Sequence, residues 1–318
     1  MYILKYIFTI VSIGFLSFIQ AGEIKKVVYI VSDTSIPFWK IMENGVKENG
    51  LQLGYKIDVY NSNNNRKTEL EATVKAIKEK VSGIIISPTS SSSCVTILKL
   101  ATKAHIPVVI SDIGTDSGEY ISYISSNNNE GAYNLGKILV QKMIALNIKN
   151  GKVGIIAIPQ TRINGQARTT GFLKALNEAS IKSVGIKQQI TFSYQETYNY
   201  TKEFIIKNPD LKAIWLQGSD KYEGALNAIN DAGKKDKILL VSFDAEPIFL
   251  DLISKDILVG AAMQQPYLMG AKAITTLNKY LSGEKVEKNI QLPILAISKE
   301  NIKQNLPIIQ KYVFGITK

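Results

Sequence analysis

Residues 27–31 read Val27-Val28-Tyr29-Ile30-Val31, a continuous apolar run rich in β-branched side chains. Such a run is typical of a strand that is buried on both faces. The amphipathic segment at residues 38–51 follows it and predicts a helix that ends near Gly50 and Gly54. The alternation continues with predicted strands at 56–60, 83–87 and 107–110 and predicted helices at 67–81 and 94–104. Because helices separate the strands, the strands must pair in parallel, which predicts a doubly wound α/β lobe.

The same rhythm starts again in the second half of the chain. Strands are predicted at 152–158, 183–191, 213–216, 238–243 and 259–263, and helices at 166–179, 195–207, 222–232 and 245–254. A long amphipathic helix at 267–281 and a strand at 293–297 complete the pattern. Two units of similar rhythm predict two similar Rossmann-like lobes.

The N-terminus predicts export. A short basic start at residues 1–5 precedes an uncharged apolar run at 6–19, which is too short for a bilayer span of about 20 residues. We interpret residues 1–22 as a signal peptide with cleavage near Ala21, and an uncleaved anchor helix is the alternative. Cys94 is the single cysteine, so no intramolecular disulfide is possible, and we expect a periplasmic protein.

Composition argues against several functional classes. The chain has 318 residues, 45% of them hydrophobic, which suits a globular protein with two cores. The formal net charge is +11, but the lysines are dispersed and form no stripe with aromatic residues, so we expect no nucleic-acid partner. The single histidine, His105, precedes a predicted strand, and no nucleophile elbow, phosphate loop or metal-ligand cluster accompanies it. The sequence therefore predicts no enzyme, no metal and no cofactor.

Polar and aromatic residues follow the predicted strands. In an open parallel sheet, ligands bind beyond the carboxyl ends of the strands. The loops that leave those ends carry aromatic rings, carboxylates, an arginine and amides, among them Arg162, Asn164 and Asp220. This mixture suits a small polyhydroxylated ligand, because flat rings cover its apolar face while polar groups bond its hydroxyls.

The order and spacing of short segments resemble the periplasmic ribose- and galactose-type sugar-binding proteins, from about residue 25 to 300. The segments are Ser35-Ile36-Pro37-Phe38-Trp39, Gly83-Ile84-Ile85-Ile86-Ser87-Pro88, Ile106-Pro107-Val108-Val109-Ile110-Ser111-Asp112, Ser125-Ser126-Asn127-Asn128, Arg168-Thr169-Thr170-Gly171-Phe172, Gly224-Ala225-Leu226, Ser242-Phe243-Asp244 and Gln264 with Gly270-Ala271-Lys272.

The resemblance implies two lobes joined by three crossovers: residues 23–125 with 264–289, and 126–263 with 290–318. It also implies ligand contacts from Phe38, Trp39, Asp112, Arg168, Asp244 and Gln264. Three positions depart from the ribose-binding pattern: Ile36 and Gly218 stand where an asparagine is expected, and Ile113 where an arginine is expected. A hydroxyl left without its partner in a closed pocket costs on the order of 1–3 kcal/mol, so we expect a ligand other than ribose. Either other residues supply the missing bonds, namely Arg162, Asn164, Asp220 and Glu246, or the ligand is less polar than a pentose.

Two functions remain open at this point. The first is capture of a small sugar-like ligand by a monomer that delivers it to the membrane permease of an ABC importer. The second is sensing, in which the closed form docks on a histidine kinase or chemoreceptor. The apolar residues at Ile36 and Ile113 favour the second alternative to some extent.

Overall fold

The protein is described here by a computed structural model, which covers residues 25–316. The predicted signal peptide lies outside these residues. Within them, no helix combines the length and the apolar character needed to cross a membrane.

Two six-stranded sheets organise the chain, and helices cover both faces of each sheet. The strands are β1 (Lys26–Val31), β2 (Lys56–Asn61), β3 (Gly83–Ile86), β4 (Val108–Ser111), β5 (Ser122–Ser126), β6 (Lys152–Ala157), β7 (Ser183–Gln188), β8 (Leu211–Leu216), β9 (Leu239–Phe243), β10 (Gly260–Met263), β11 (Asn289–Leu292) and β12 (Leu295–Ser298). The helices are α1 (Pro37–Gln52), α2 (Arg66–Lys78), α3 (Ser91–Lys103), α4 (Asn128–Ala145), α5 (Ile163–Glu178), α6 (Tyr194–Lys207), α7 (Tyr222–Asp231), α8 (Phe249–Ser254), α9 (Pro266–Leu281) and α10 (Ile302–Ile308), followed by a π-helical turn at Ile309–Val313.

The strand orders are β2-β1-β3-β4-β5-β11 in the first lobe and β7-β6-β8-β9-β10-β12 in the second. Every pair is parallel except β10 with β12, which is antiparallel. The central strands are fully buried, as their continuous apolar sequences predict. The predicted architecture of two α/β lobes is confirmed.

The chain passes between the sheets three times. The first two passages follow the ends of β5 and β10. The third lies at residues 293–294, so the predicted boundary between 289 and 290 is wrong. The reason is that Asn289–Leu292 pairs in parallel with β5 and completes the first sheet, although its alternating polar sequence gives little sign of a strand.

Strand β5, helix α4, and helix α10 with the π-helical turn that follows it were also not predicted. Strand β5 reads Ser-Tyr-Ile-Ser-Ser and lacks an apolar run, yet it lies buried between β4 and β11. Helix α4 begins after Asn127, whose side chain accepts a hydrogen bond from the Glu130 amide. It packs on α5 through glycines, because a Cβ on Gly171 would lie 2.0 Å from the carbonyl oxygen of Asn129. This close approach positions the start of α5 beside the ends of the strands.

Candidate functional site

The carboxyl ends of the two sheets face each other across a cavity of about 60 Å³. All nine predicted ligand-binding side chains line it. They are Phe38, Trp39, Asp112, Arg162, Asn164, Arg168, Asp220, Asp244 and Gln264, and they come from both lobes and from a passage between them. Their convergence is a feature of the fold, whereas their contact with a ligand stays a prediction.

Helix α1 brings the aromatic pair to the cavity. Pro37 occupies the first turn, where its missing amide hydrogen is tolerated, and Phe38 and Trp39 follow. The two rings meet edge to face with centroids 4.9 Å apart, a preferred aromatic geometry. Trp39 is only 6% exposed, because it also packs in the apolar core of the first lobe. The Trp39 ring therefore belongs both to the apolar core of the first lobe and to the cavity wall.

Two aspartates occupy matching places in the two lobes. Asp112 directly follows β4 and Asp244 directly follows β9, and each has a φ of 65°. Each backbone amide donates to a carbonyl of the adjacent strand, Asp112 to Ile124 and Asp244 to Ala262, both at 2.9 Å. In each lobe the aspartate in the left-handed region ends the strand, and its side chain lines the cavity.

The Arg168 guanidinium is held by protein groups on several sides. Its Nε donates to Asn128 Oδ1 at 2.8 Å, and its Nη1 donates to the Gln217 carbonyl at 2.7 Å. Asp244 Oδ2 lies 3.5 Å from Nη1, and the Phe243 ring lies beneath the guanidinium at 3.9 Å. Such a buried, multiply bonded arginine is fixed in position before any ligand arrives.

Hydrogen-bond acceptors are in excess on the cavity wall. Gln264 Nε2 donates to Asp244 Oδ1 at 2.6 Å, but Gln264 Oε1 accepts no hydrogen bond from any described residue. Asp112 Oδ1 is likewise without a donor among them, and both atoms are buried. Burial raises the pKa of the Asp112 carboxyl to about 6, an effect that the charge of Arg168 opposes. The wall can therefore accept hydrogen bonds from a donor-rich molecule.

Glu246 is a further carboxyl group near Asp220 and Asp244. Burial raises the pKa of the Glu246 carboxyl to about 7, while a hydrogen bond from Ser219 at 2.8 Å opposes the shift. Burial also raises the pKa of the Asp244 carboxyl against the charge of Arg168. Asp220 itself lies 2.9 Å from the Lys221 ammonium, and this pair is close to neutral as a unit.

The two lobes touch across the cavity, so the structure is a closed form. Arg162 Nη2 of the second lobe donates to the Thr89 carbonyl of the first lobe at 3.2 Å. Asn164 Nδ2 lies 3.4 Å from Asp112 Oδ2, again between lobes.

Sequence reasoning missed two wall residues, Ile158 and Phe192. The predicted strand at 183–191 was too long, since β7 ends at Gln188 and residues 189–193 form the loop that carries Phe192. Ile158 was likewise counted in a strand, although β6 ends at Ala157. Asn128 was quoted only within one of the segments that carry the resemblance, and its hydrogen bond to Arg168 could not be predicted from the sequence.

Chemistry beyond binding has few candidate groups here. Across residues 25–316, no group of three or more His, Cys, Asp and Glu side chains is arranged to hold a metal. His105 lies in the turn before β4, at the opposite end of that strand from Asp112. Cys94 is buried in the first lobe, which raises the pKa of its thiol to about 12 and makes it a poor nucleophile.

Comparison with known proteins agrees with this geometry. A family model described as a periplasmic binding protein domain matches residues 27–285. The chain is 30% identical over 277 residues to the ribose import binding protein of Haemophilus influenzae, covering 85% of this chain and 90% of that protein. It is 24% identical over 298 residues to the D-allose-binding periplasmic protein of Escherichia coli, covering 91% and 94%.

Solved structures share the fold. A carbohydrate transporter solute-binding protein from Agrobacterium radiobacter in complex with D-arabinose superposes with a TM-score of 0.84 at 24% identity, covering 92% of this chain and 100% of that one. A solute-binding protein from Actinobacillus succinogenes with bound D-allose gives a TM-score of 0.81 at 21% identity, covering 88% and 99%. The chain belongs to the periplasmic binding protein family, whose sugar-binding members its sequence resembles.

Proposed function

We propose that this protein captures one small neutral sugar between its two lobes in the periplasm and delivers it, unchanged, to the permease of an ABC importer. The observation that supports the proposal best is the meeting of nine polar and aromatic side chains of both lobes around one cavity between them. Relatives at 24–30% identity are named as import or binding proteins for ribose and allose. These relatives do not support the sensor alternative that Ile36 and Ile113 raised.

The acceptors on the wall argue for a sugar. A buried acceptor without a donor costs on the order of 1–3 kcal/mol, and sugar hydroxyls would supply donors to Asp112 Oδ1 and Gln264 Oε1. Trp39 and Phe38 offer flat apolar faces for the carbon skeleton. Together these groups suit a molecule with hydroxyls on one side and C–H groups on the other.

The charges of the wall argue for a neutral ligand. Arg168 is already paired with Asp244, and Asp220 is paired with Lys221. Arg162 lies in the same wall as Asp112, which balances the remaining charges. The formal charges of Asp112, Asp220 and Asp244 are thus matched by those of Arg162, Arg168 and Lys221. An anionic sugar acid or sugar phosphate would add a negative charge that this set of groups does not neutralise.

A thermal-shift panel tests the proposal. The panel contains D-ribose, D-allose, D-arabinose, D-galactose, a sugar acid and small amines, each with wild type and with Asp244→Ala. A neutral sugar at one hundred times its dissociation constant stabilises the protein by roughly 2.7 kcal/mol, and Asp244→Ala removes most of that gain. If only the sugar acid or the amines stabilise wild type, or if Asp244→Ala responds like wild type, the proposal is wrong.

A further inference from the structure

A fully buried carboxylate lies in the first lobe, outside the cavity wall. Glu69 is in the first turn of α2 and is 0% exposed. It does not line the cavity between the lobes. A buried carboxylate needs several hydrogen bonds to be stable, so its partners indicate why it is there.

Among the described residues, its side-chain hydrogen bonds come from the stretch that joins β3 to α3 and from the first turn of α3. Glu69 Oε1 accepts from the Thr89 amide at 2.5 Å. Its Oε2 accepts from the Thr89 hydroxyl at 3.0 Å and from the Ser93 hydroxyl at 2.8 Å. Because both the amide and the side chain of Thr89 are bonded to one carboxylate, the conformation of that residue is fixed.

Thr89 also accepts a hydrogen bond from the second lobe. Its carbonyl oxygen accepts the hydrogen bond from Arg162 Nη2 at 3.2 Å, and Arg162 stands directly before α5. A donor and an acceptor on separate lobes align only if each is held in place before closure. The Phe192 ring makes a cation–π contact with the Arg162 guanidinium, with its centroid 5.6 Å away. Glu69 holds Thr89 through hydrogen bonds.

The negative charge of Glu69 also favours Arg162 at this contact. Burial lowers the pKa of the Arg162 guanidinium, and the charges of Asp112 and Glu69 oppose that shift. Glu69 therefore places a negative charge near the guanidinium as well as holding the residue that accepts its hydrogen bond.

We propose that Glu69 is a positioning residue for lobe closure: it holds Thr89 so that the Thr89 carbonyl receives Arg162, and thereby slows release of the bound sugar. The part of this inference that concerns release rests on the proposed function. The part that concerns closure does not, because the contact joins protein groups only.

The first experiment separates release from capture. Stopped-flow tryptophan fluorescence with D-ribose, D-allose or D-arabinose, whichever binds wild type, gives association and dissociation rate constants for Glu69→Gln. We expect the dissociation rate constant to rise at least fivefold, while the association rate constant stays within twofold of wild type. Glu71→Gln is the matched control, since Glu71 lies on the same helix with its side chain 64% exposed, and it should leave both constants unchanged.

A double-mutant cycle tests whether Glu69 acts through Arg162. In an Arg162→Lys background, Glu69→Gln should change the dissociation rate constant less than twofold. An equal change in both backgrounds, or no change in either, overturns the proposal. If Glu69→Gln does not fold, Thr89→Val removes one hydrogen bond to Glu69 and keeps the carbonyl acceptor; we expect a two- to threefold rise, and no rise contradicts the proposal.

A sugar-independent measurement distinguishes this inference from the proposed function. A pair of spin labels, one on each lobe, reports the distance between lobes in the sugar-free protein. Glu69→Gln should shift the distance distribution towards longer values than those of wild type and of Glu71→Gln. If no sugar binds wild type but this shift occurs, the proposed function fails and the closure role stands; identical distributions reject the closure role.

Discussion

Asp112 and Asp244 show how single residues build the cavity. A non-glycine residue in the left-handed region is uncommon, and aspartate is one of the residue types that tolerate it. Both aspartates adopt it at the point where a buried strand must end and a carboxylate must line the cavity. Their presence after the strands could be predicted from the sequence, but their backbone conformation and their spare acceptor atoms could not, because both depend on the neighbouring strands.

Of the two tryptophans, only Trp39 should change its fluorescence when sugar binds. The chain has two tryptophans, and Trp215 is fully buried against Phe172 in the second lobe. We predict that Trp39→Ala abolishes the sugar-induced fluorescence change and weakens binding by on the order of 1–3 kcal/mol, because a flat apolar surface is lost. Titration calorimetry measures the affinity, and Trp215→Phe should keep the fluorescence change. An unaltered affinity in Trp39→Ala would remove this ring from the site.

Asp112 should lower stability while it supports binding. Its pKa is raised to about 6 in the folded protein, against about 4 in an unfolded chain. Folding therefore disfavours the ionised form, so the free energy of unfolding is reduced by about 3 kcal/mol above pH 6, and the loss is relieved as the pH falls from 6 to 4.

We predict that Asp112→Asn raises the free energy of unfolding of the sugar-free protein at pH 7 and not at pH 4, while its affinity for sugar falls. Urea denaturation at the two pH values measures the first effect and calorimetry the second. The exposed Asp116 provides the control variant, Asp116→Asn, which should change neither quantity. A stability gain that persists at pH 4 would show that the charge of Asp112 is not the cause.

At the scale of elements, paired helices set the positions of the cavity side chains. Helix α1, which carries Phe38 and Trp39, packs on α9, and a Cβ on Gly270 of α9 would lie 2.2 Å from the Met42 carbonyl. The pair α4 and α5 makes the equivalent approach in the second lobe. Continuous apolar runs and glycine punctuation made most of the elements predictable. Strand β5 and strand β11 were missed because their sequences are polar and their burial comes from their neighbours in the sheet.

Gly270→Ala should disturb both packing and binding. The new methyl group must push α1 away from α9, so we predict a loss of about 1–3 kcal/mol in the free energy of unfolding and a weaker affinity for sugar. Urea denaturation and calorimetry measure the two effects. In Gly218→Ala the nearest atom to the new Cβ is 3.6 Å away, so that variant should keep the stability of wild type. Equal stabilities of the two variants would contradict the packing argument.

At the scale of the whole molecule, the sequence predicted two lobes and the residues that meet between them, but not how tightly they meet. Apart from Arg168, which lies in the second turn of α5 and was predicted only through the resemblance, the predicted wall residues lie at strand ends or near helix starts, where the order of the chain indicates a common edge. The contacts between lobes, such as Arg162 with Thr89, join residues far apart in the chain and depend on the angle of closure. That angle is a property of the crossovers and has no local signature in the sequence.

The crystal structure of the protein with its tightest-binding sugar from the thermal-shift panel tests the central claim most directly. We predict one sugar molecule in the cavity between the closed lobes, with hydroxyls bonded to Asp112 Oδ1 and Gln264 Oε1 and the ring covered by Trp39. A sugar bound at an outer surface, or bound between the lobes without contact to these groups, would contradict the account.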